Sequence, residues 1–179
     1  SGGAREPVRK IVESGDDSPL GTKFATTPAG QLLPSVFFSP RISADGVVSF
    51  IGILPSPNGS PDAGIFALRP GGTLEKLVAS GDTAGGETLT IVPLGHIVNA
   101  NGDVAFFSGT LERPGLYLFD SRTRTTRQIV APEITLPTGE ILSPFVVALP
   151  ALTASQTVFF LSSLTGGEAR LAICAAPAQ

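Results

Sequence analysis

The chain has 179 residues, of which 42% are hydrophobic and 15% charged, with 21 glycines and 16 prolines. This composition is too apolar for a disordered chain, and frequent glycine and proline are typical of many short strands joined by turns. A net charge of −3 without a basic cluster argues against a nucleic-acid partner, and no run approaches the ~20 apolar residues of a membrane helix. We therefore expect a β-rich domain with no nucleic-acid partner and no membrane insertion.

In chain order, residues 1–7 are predicted to be a disordered lead-in, and residues 8–179 a single domain. Two kinds of short segment alternate with loops. Type C segments predict a short strand closed by a turn: Val8–Asp16, Leu74–Asp82 and Thr126–Glu133. Type D segments are apolar runs that follow each of these after a loop rich in Gly, Pro or Thr: Gln31–Phe38, Leu89–Leu94 and Ile141–Leu149.

The clearest pattern, type A, is a turn followed by a strand, and it occurs with a period of about 55 residues. The three copies are Ser43–Phe50, Asn99–Phe106 and Thr153–Phe160. Each begins with a side-chain oxygen that can start a turn, and Asp45-Gly46 and Asn101-Gly102 suit a tight turn with positive φ. Ser155-Gln156 replaces this dipeptide in the third copy, which predicts a different or looser turn. The strands are apolar on both faces, which predicts a central strand buried between layers.

A fourth segment, type B, follows each central strand: Gly64–Leu68, Gly115–Phe119 and Ala169–Cys174. The chain order C-D, A-B-C-D, A-B-C-D, A-B predicts three units of about residues 42–96, 97–150, and 151–179 plus 8–41. We expect a three-bladed, propeller-like closed ring of twelve strands in which the N-terminal strands complete the last unit, because closure removes exposed sheet edges. A β-trefoil and half of a dimeric six-bladed ring are the alternatives, so the chain is expected to be a monomer or a homodimer.

Three stretches resemble a tandem-repeat family of bacterial exported proteins. They are N-A-N-G-D-V-A-F-F at Asn99–Phe107, G-L-Y-L-F at Gly115–Phe119 and K-L-V-A-S-G-D at Lys76–Asp82. The family's repeats have N-x-x-G before an Ala-Phe strand, then a Gly-Leu/Ile-Tyr/Phe strand and a Gly-Asp turn. The resemblance implies a propeller-like fold and a secreted, cell-surface or periplasmic location, and it brings no catalytic residues.

Few residues are candidates for chemistry. His96, the only histidine, stands where the other units have proline, and we interpret it as a surface substitution. Asp16, Asp82 and Glu133 fall at equivalent positions and could bind calcium, but aspartates that cap turns are the favoured interpretation. Cys174 is predicted to be a small buried hydrophobe, and Asp120–Arg124 a solvated hairpin tip.

One His, one Cys and one Tyr leave few ways to assemble a nucleophile, a base and an orienting group. No catalytic, cofactor-binding or metal-binding residue is therefore predicted, and no cofactor. We expect a non-catalytic module that recognises a protein or a glycan through a face of the ring. The alternative is a glycosidase-like or lyase-like enzyme that uses carboxylates in a central cavity.

Overall fold

In the computed structural model, the described residues are 10–26, 36–55, 62–144, 150–165 and 170–177. Every regular element among them is a β-strand, which confirms the predicted all-β class. The described part of the chain contains no helix long and apolar enough to cross a membrane. The predicted lead-in, residues 1–7, lies outside the described residues.

Three antiparallel sheets follow one another along the chain. Sheet I has the order β1 (Phe37–Ile42), β2 (Val48–Leu54), β3 (Asp62–Leu68), β4 (Leu74–Ala79). A two-stranded ladder of β5 (Thr83–Ala84) and β6 (Glu87–Thr88) then precedes sheet II. Sheet II contains β7 (Ile91–Val98), β8 (Val104–Gly109), β9 (Pro114–Asp120) and β10 (Thr125–Val130), again hydrogen-bonded in sequence order.

Sheet III departs from this plan at one edge. It contains β11 (Ile134–Thr135), β12 (Ile141–Pro144), β13 (Ala151–Leu152), β14 (Thr157–Thr165) and β15 (Arg170–Pro177), with β14 between β12 or β13 and β15. In sheets I and II a type C strand, β4 or β10, pairs with the type B strand. Among the described residues no type C strand pairs with β15.

Apolar side chains stack the sheets in the order I, II, III. The first core joins Ile51 and Ile65 of sheet I to Phe106 and Tyr117 of sheet II. The second joins the opposite face of sheet II to sheet III, where its buried residues include Phe107, Leu116, Val158 and Phe160. The prediction of a central strand buried on both faces is right for β2 and β8. It is wrong for the outer face of β14, where Phe159 is 41% exposed.

The predicted closed twelve-strand ring is wrong, because the described sheets are separate and none closes into a ring or barrel. Neither a β-trefoil nor half of a six-bladed ring describes this arrangement. The N-terminal strands do not complete the last unit: β1, from the first type D segment, pairs with β2. Each described type D strand thus belongs to the sheet of the central strand that follows it.

Residues 10–26 pack on sheet I instead of sheet III. The Ala25 backbone N–H donates to the Ile53 carbonyl at 2.9 Å, and Phe24 is buried in an aromatic cluster on the outer face of sheet I. Gly52 makes room for this ring, since a Cβ there would lie 2.6 Å from Phe24 Cε1. The segment is therefore packed closely against sheet I. Because it is held there, it does not complete sheet III of the same chain, and the ring does not close.

The three type A turns have one geometry, including the third, which was predicted to differ. In each, the backbone carbonyl of the first residue accepts from the N–H three positions on, and its backbone N–H donates to the carbonyl four positions on. The side-chain oxygen of the first residue accepts from the backbone N–H of that fourth residue. Gly46 and Gly102 have φ of 77° and 83°, as predicted. Gln156 occupies the same position with φ of 62°, a conformation that costs a non-glycine residue free energy.

Gly102→Val is expected to lower the free energy of unfolding by about 1–2 kcal/mol, because a β-branched residue is strained at positive φ. Gly102→Asn is the matched control and should cost less, since asparagine tolerates this region. A Cβ at Gly102 meets nothing closer than 3.7 Å, so the comparison isolates backbone strain. Denaturant unfolding measures both, and equal losses would contradict the assigned turn.

Candidate functional site

A polar cleft lies where three turns of sheets II and III meet: those before β8, between β9 and β10, and before β14. Its volume is about 490 Å³, within the range of small-molecule sites. The cleft is lined by Asn101, Asp103, Asp120, Ser121, Arg122, Ala154, Ser155 and Gln156. We call it the turn cleft.

Asp103, at the base of the turn cleft, is buried and uses both carboxylate oxygens. Its Oδ2 accepts from Asn99 Nδ2 at 3.0 Å and from Gln156 Nε2 at 3.1 Å. Its Oδ1 accepts from the Ser121 backbone N–H at 2.9 Å and from Ser121 Oγ at 3.0 Å. These four donors come from all three turns, so Asp103 joins sheet II to sheet III.

Asp120 ends β9 and organises the hairpin tip beside Asp103. Its Oδ1 accepts from the backbone N–H groups of Arg122 and Thr123, both at 2.9 Å, and its Oδ2 accepts from Gln156 Nε2 at 3.2 Å. The predicted solvated tip is correct for residues 122–124, which are exposed. It is wrong for Asp120, which is buried because its carboxylate caps the turn from inside.

Gln156 links the two carboxylates. Its amide nitrogen donates to both Asp103 and Asp120, while its Oε1 accepts from Arg127 at 2.7 Å. Arg127 Nε is buried without a hydrogen-bond partner among the described residues. The strained backbone of Gln156 is thus held in place by a network that reaches the second sheet.

Both carboxylates are ionised at neutral pH. Desolvation raises the pKa of Asp103, but hydrogen bonds from the Ser121 backbone, the Asn99 and Gln156 amides and the Ser121 hydroxyl outweigh it and lower the pKa below its usual value. The Thr123 backbone hydrogen bond, followed by that of Gln156, lowers the pKa of Asp120 to about 2. A general acid needs a raised pKa, so this pair suits binding of polar or cationic groups better than proton donation.

The three acidic residues that the sequence analysis considered as calcium ligands each accept hydrogen bonds from other protein groups. Asp16 accepts from the Glu13 N–H, Asp82 from the Ala79 N–H and Lys76, and Glu133 from Arg113. Each of the two aspartates caps its own turn, as the favoured interpretation holds. Within the part of the chain that the structure describes, no three His, Cys, Asp or Glu residues form a group that could hold a metal ion.

His96 is fully buried, so its interpretation as a surface substitution is wrong. It lies on β7, where its Nε2 is 2.8 Å from Ser49 Oγ of β2, and this pair bridges sheets I and II. Ser49 is equally buried, so a substrate has no access to the pair. The His96 Nδ1 has no hydrogen-bond partner among the described residues.

The single histidine gives a direct pH test. Desolvation, followed by the positive charge of Arg41, lowers the pKa of His96 from 6.5 to about 4. The unfolded chain therefore binds more protons than the folded chain between these values, and lowering the pH from 6.5 to 4 should cost up to about 3 kcal/mol of stability. In an NMR titration we expect no His96 transition between pH 5 and 8, and a midpoint near 6.5 would contradict its burial.

A second cleft, of about 520 Å³, lies between sheets I and II. Lys76 donates to Asp82 on one wall. On the other wall, the Arg124 guanidinium lies 5.8 Å from the centroid of the Phe119 ring and pairs with Glu75 at 2.9 Å. The charged groups here neutralise one another in pairs, which leaves fewer groups free for a ligand than in the turn cleft.

Together these features define an all-β protein of stacked antiparallel sheets, with a polar cleft at the turns of two of them. The chain belongs to DUF7453, a family of unknown function whose model matches residues 3–123. The match includes all of sheet I and ends in the hairpin tip of sheet II. No curated protein matches the chain.

Sequence reasoning missed Asp103 and Gln156, the residues that build the turn cleft. Asp103 stands where the other type A copies have Val47 and Thr157, and Gln156 stands in the place of the turn glycine. Both departures from the repeated pattern were visible in the sequence. Ser155-Gln156 predicts a different or looser turn because glycine is the usual residue at positive φ, so the pattern gives no sign that Gln156 adopts the glycine conformation.

Proposed function

We propose that this protein is a non-catalytic binding module that recognises a protein or a glycan through the turn cleft. The observation that carries the proposal is the network around Gln156, which holds two ionised carboxylates rigidly at the base of an open cleft. Exposed polar side chains of Asn101, Arg122 and Ser155 surround them. Such a preorganised set of hydrogen-bonding groups is what selective recognition of hydroxyls or basic side chains requires.

The chemistry of the cleft supports a role without catalysis. Asp103 and Asp120 both have lowered pKa values, so neither offers the proton that glycoside cleavage needs. The Ser49–His96 pair is buried away from any substrate. The Asp103 and Asp120 carboxylates therefore give no support to the carboxylate enzyme predicted as the alternative.

We also propose an exported location, and this part rests on the resemblance of the segments at Lys76–Asp82 and Asn99–Phe107 to exported repeat proteins. Fractionation of the native host, with detection of the chain outside the cytoplasm, tests it. Retention of the chain in the cytoplasm would contradict it.

The binding proposal is tested with a glycan array and a panel of basic, acidic and neutral peptides. We expect ligands in one of the two sets, and loss of their binding in Ser155→Arg, which places a long cation across the turn cleft. Leu111→Arg is the matched control, since it adds the same charge at a loop residue that is 56% exposed and outside the cleft. Binding in neither set, or binding that survives Ser155→Arg unchanged, would contradict the proposal.

A further inference from the structure

Among the described residues, sheet III has no strand equivalent to β4 of sheet I and β10 of sheet II. In sheet I, β3 pairs with β2 on one side and β4 on the other, and in sheet II, β9 likewise lies between β8 and β10. In sheet III, β15 pairs with β14 over eight residues and has no second neighbour among the described residues. An edge of this length carrying apolar side chains is a template for another strand.

The pairing register identifies which residues of β15 correspond to the covered strands. Phe50 and Phe106 pair with Phe66 and Tyr117, and the equivalent Phe160 pairs with Cys174. Ile173 therefore corresponds to Ile65 and Leu116, which are completely buried. Ile173 itself is 80% exposed.

The outer face of sheet III is equivalent to the faces of sheets I and II that are buried against the next sheet in the stack. Ile65 points into the core shared with sheet II, and Leu116 points into the core shared with sheet III. By the same repetition, Ile173 points to where a further sheet would lie. On that face Phe159 is 41% and Leu171 67% exposed, so an apolar surface stands uncovered.

The opposite end of the chain carries the matching segment. Residues 10–16 repeat the end of β4 and its turn: Glu13 N–H donates to Asp16 as Ala79 N–H does to Asp82. The backbone hydrogen bonds agree as well: Phe24 bonds to Gly15 and Asp16 in the same way that Leu89 bonds to Gly81 and Asp82. Yet no described residue pairs with Lys10–Glu13 in a strand ladder.

We propose that β15 and the outer face of sheet III bind the N-terminal segment of a second copy of this chain, in a head-to-tail contact. The strand-forming residues at 10–13 of the second copy add to β15 as β4 adds to β3. On the outer side of that copy's sheet I, Val12 and Leu74 lie partly buried beside the Phe24 cluster. This side then packs over Phe159, Leu171 and Ile173. The contact joins the β15 surface of one copy to the N-terminal surface of the next. A dimer therefore still has one free β15 surface and one free N-terminal surface, at which further copies can bind.

The register of the two complete sheets specifies the pairs across this contact. Ile65 pairs with Val78 and Leu116 with Val130, so Ile173 should pair with Val12 of the second copy. Phe66 pairs with Lys76 and Tyr117 with Gln128, so Cys174 should lie opposite Lys10 of the second copy. Lys10 is exposed and Cys174 is the only cysteine, which makes this pair accessible to cross-linking.

The first test measures mass by light scattering over a wide range of concentration. We expect masses that rise above 18.3 kDa with concentration in the unaltered chain. Ile173→Lys should shift the association to at least about tenfold higher concentration, because it removes the burial of one large apolar side chain. Leu111→Lys, at an exposed loop residue of sheet II outside both contact surfaces, is the matched control and should leave association unchanged.

The second test places a cysteine at the predicted contact. Oxidation of Lys10→Cys should give disulfide-linked dimers and larger species through Cys174, and Lys10→Cys with Cys174→Ser should give none. Lys23→Cys, exposed on the same segment outside its strand residues, should link much less. A monomer at all concentrations, a link within one chain, or a Cys174–Cys174 dimer of the unaltered chain would each overturn the proposal.

Discussion

Phe24→Ala is expected to lower the free energy of unfolding by about 3–5 kcal/mol, although Phe24 lies in an N-terminal segment without regular strands. Its ring is 1% exposed and lies 4.9 Å from Phe66 and 5.1 Å from Phe37, between centroids. Truncation to alanine leaves a cavity against Gly52, which has no side chain to fill it. Chemical denaturation followed by far-ultraviolet circular dichroism measures the loss.

Phe24→Leu is the matched control and should cost about 1–1.5 kcal/mol, because it keeps most of the apolar volume. Leu20→Ala, at an exposed residue of the same segment, should change stability by less than about 0.5 kcal/mol. A loss below about 1 kcal/mol in Phe24→Ala would show that residues 10–26 are not docked on sheet I.

Asp103→Asn is expected to cost about 2–4 kcal/mol, although it changes only one atom of the side chain. Two donors face each carboxylate oxygen, so either orientation of the new amide places its NH2 group against two N–H or O–H groups. A buried donor without an acceptor costs about 1–3 kcal/mol. Thermal and denaturant unfolding at pH 7 measure the loss.

The pH profile separates this carboxylate from His96. The pKa of Asp103 is lowered in the folded chain, so its contribution is complete above the unfolded value of 3.8 and is lost as the pH falls below it. Asp103→Asn should therefore lose less stability than the unaltered chain below pH 4. Asp45→Asn, at an exposed turn residue, is the control and should change little at any pH. Equal profiles for all three proteins would contradict the network.

The all-β class and the strand order within each sheet follow from local patterns, and the sequence displays these clearly. Val48 and Phe50 lie two residues apart, which fixes one face of β2, and the glycines at 46 and 102 fix the turns before the type A strands. Such patterns depend on neighbours along the chain. The repeated order of segments also predicted which strands are central.

The absence of ring closure was not predictable from the sequence. It depends on whether the N-terminal segment packs on sheet I or on sheet III, and these two sheets are distant from one another along the chain. The type C pattern at Val8–Asp16 is the same whether it completes sheet III or stands alone. Phe24 and Gly52 decide the outcome, and they lie 28 positions apart with no shared motif. The turn cleft escaped prediction for the same reason, since Asp103 and Gln156 acquire their roles only when two sheets meet.

Among the described residues the sheets form an open stack, in which β15 has a strand on one side only. Hydrogen exchange of backbone amides tests it most directly, at a concentration where the chain is a monomer. We expect strong protection throughout β3 and β9, and fast exchange at every second amide of β15, where no strand of the described residues accepts the hydrogen bond. Protection of all β15 amides in the monomer, at the level of β9, would mean that another part of the same chain pairs with this edge, and β15 would then not be free.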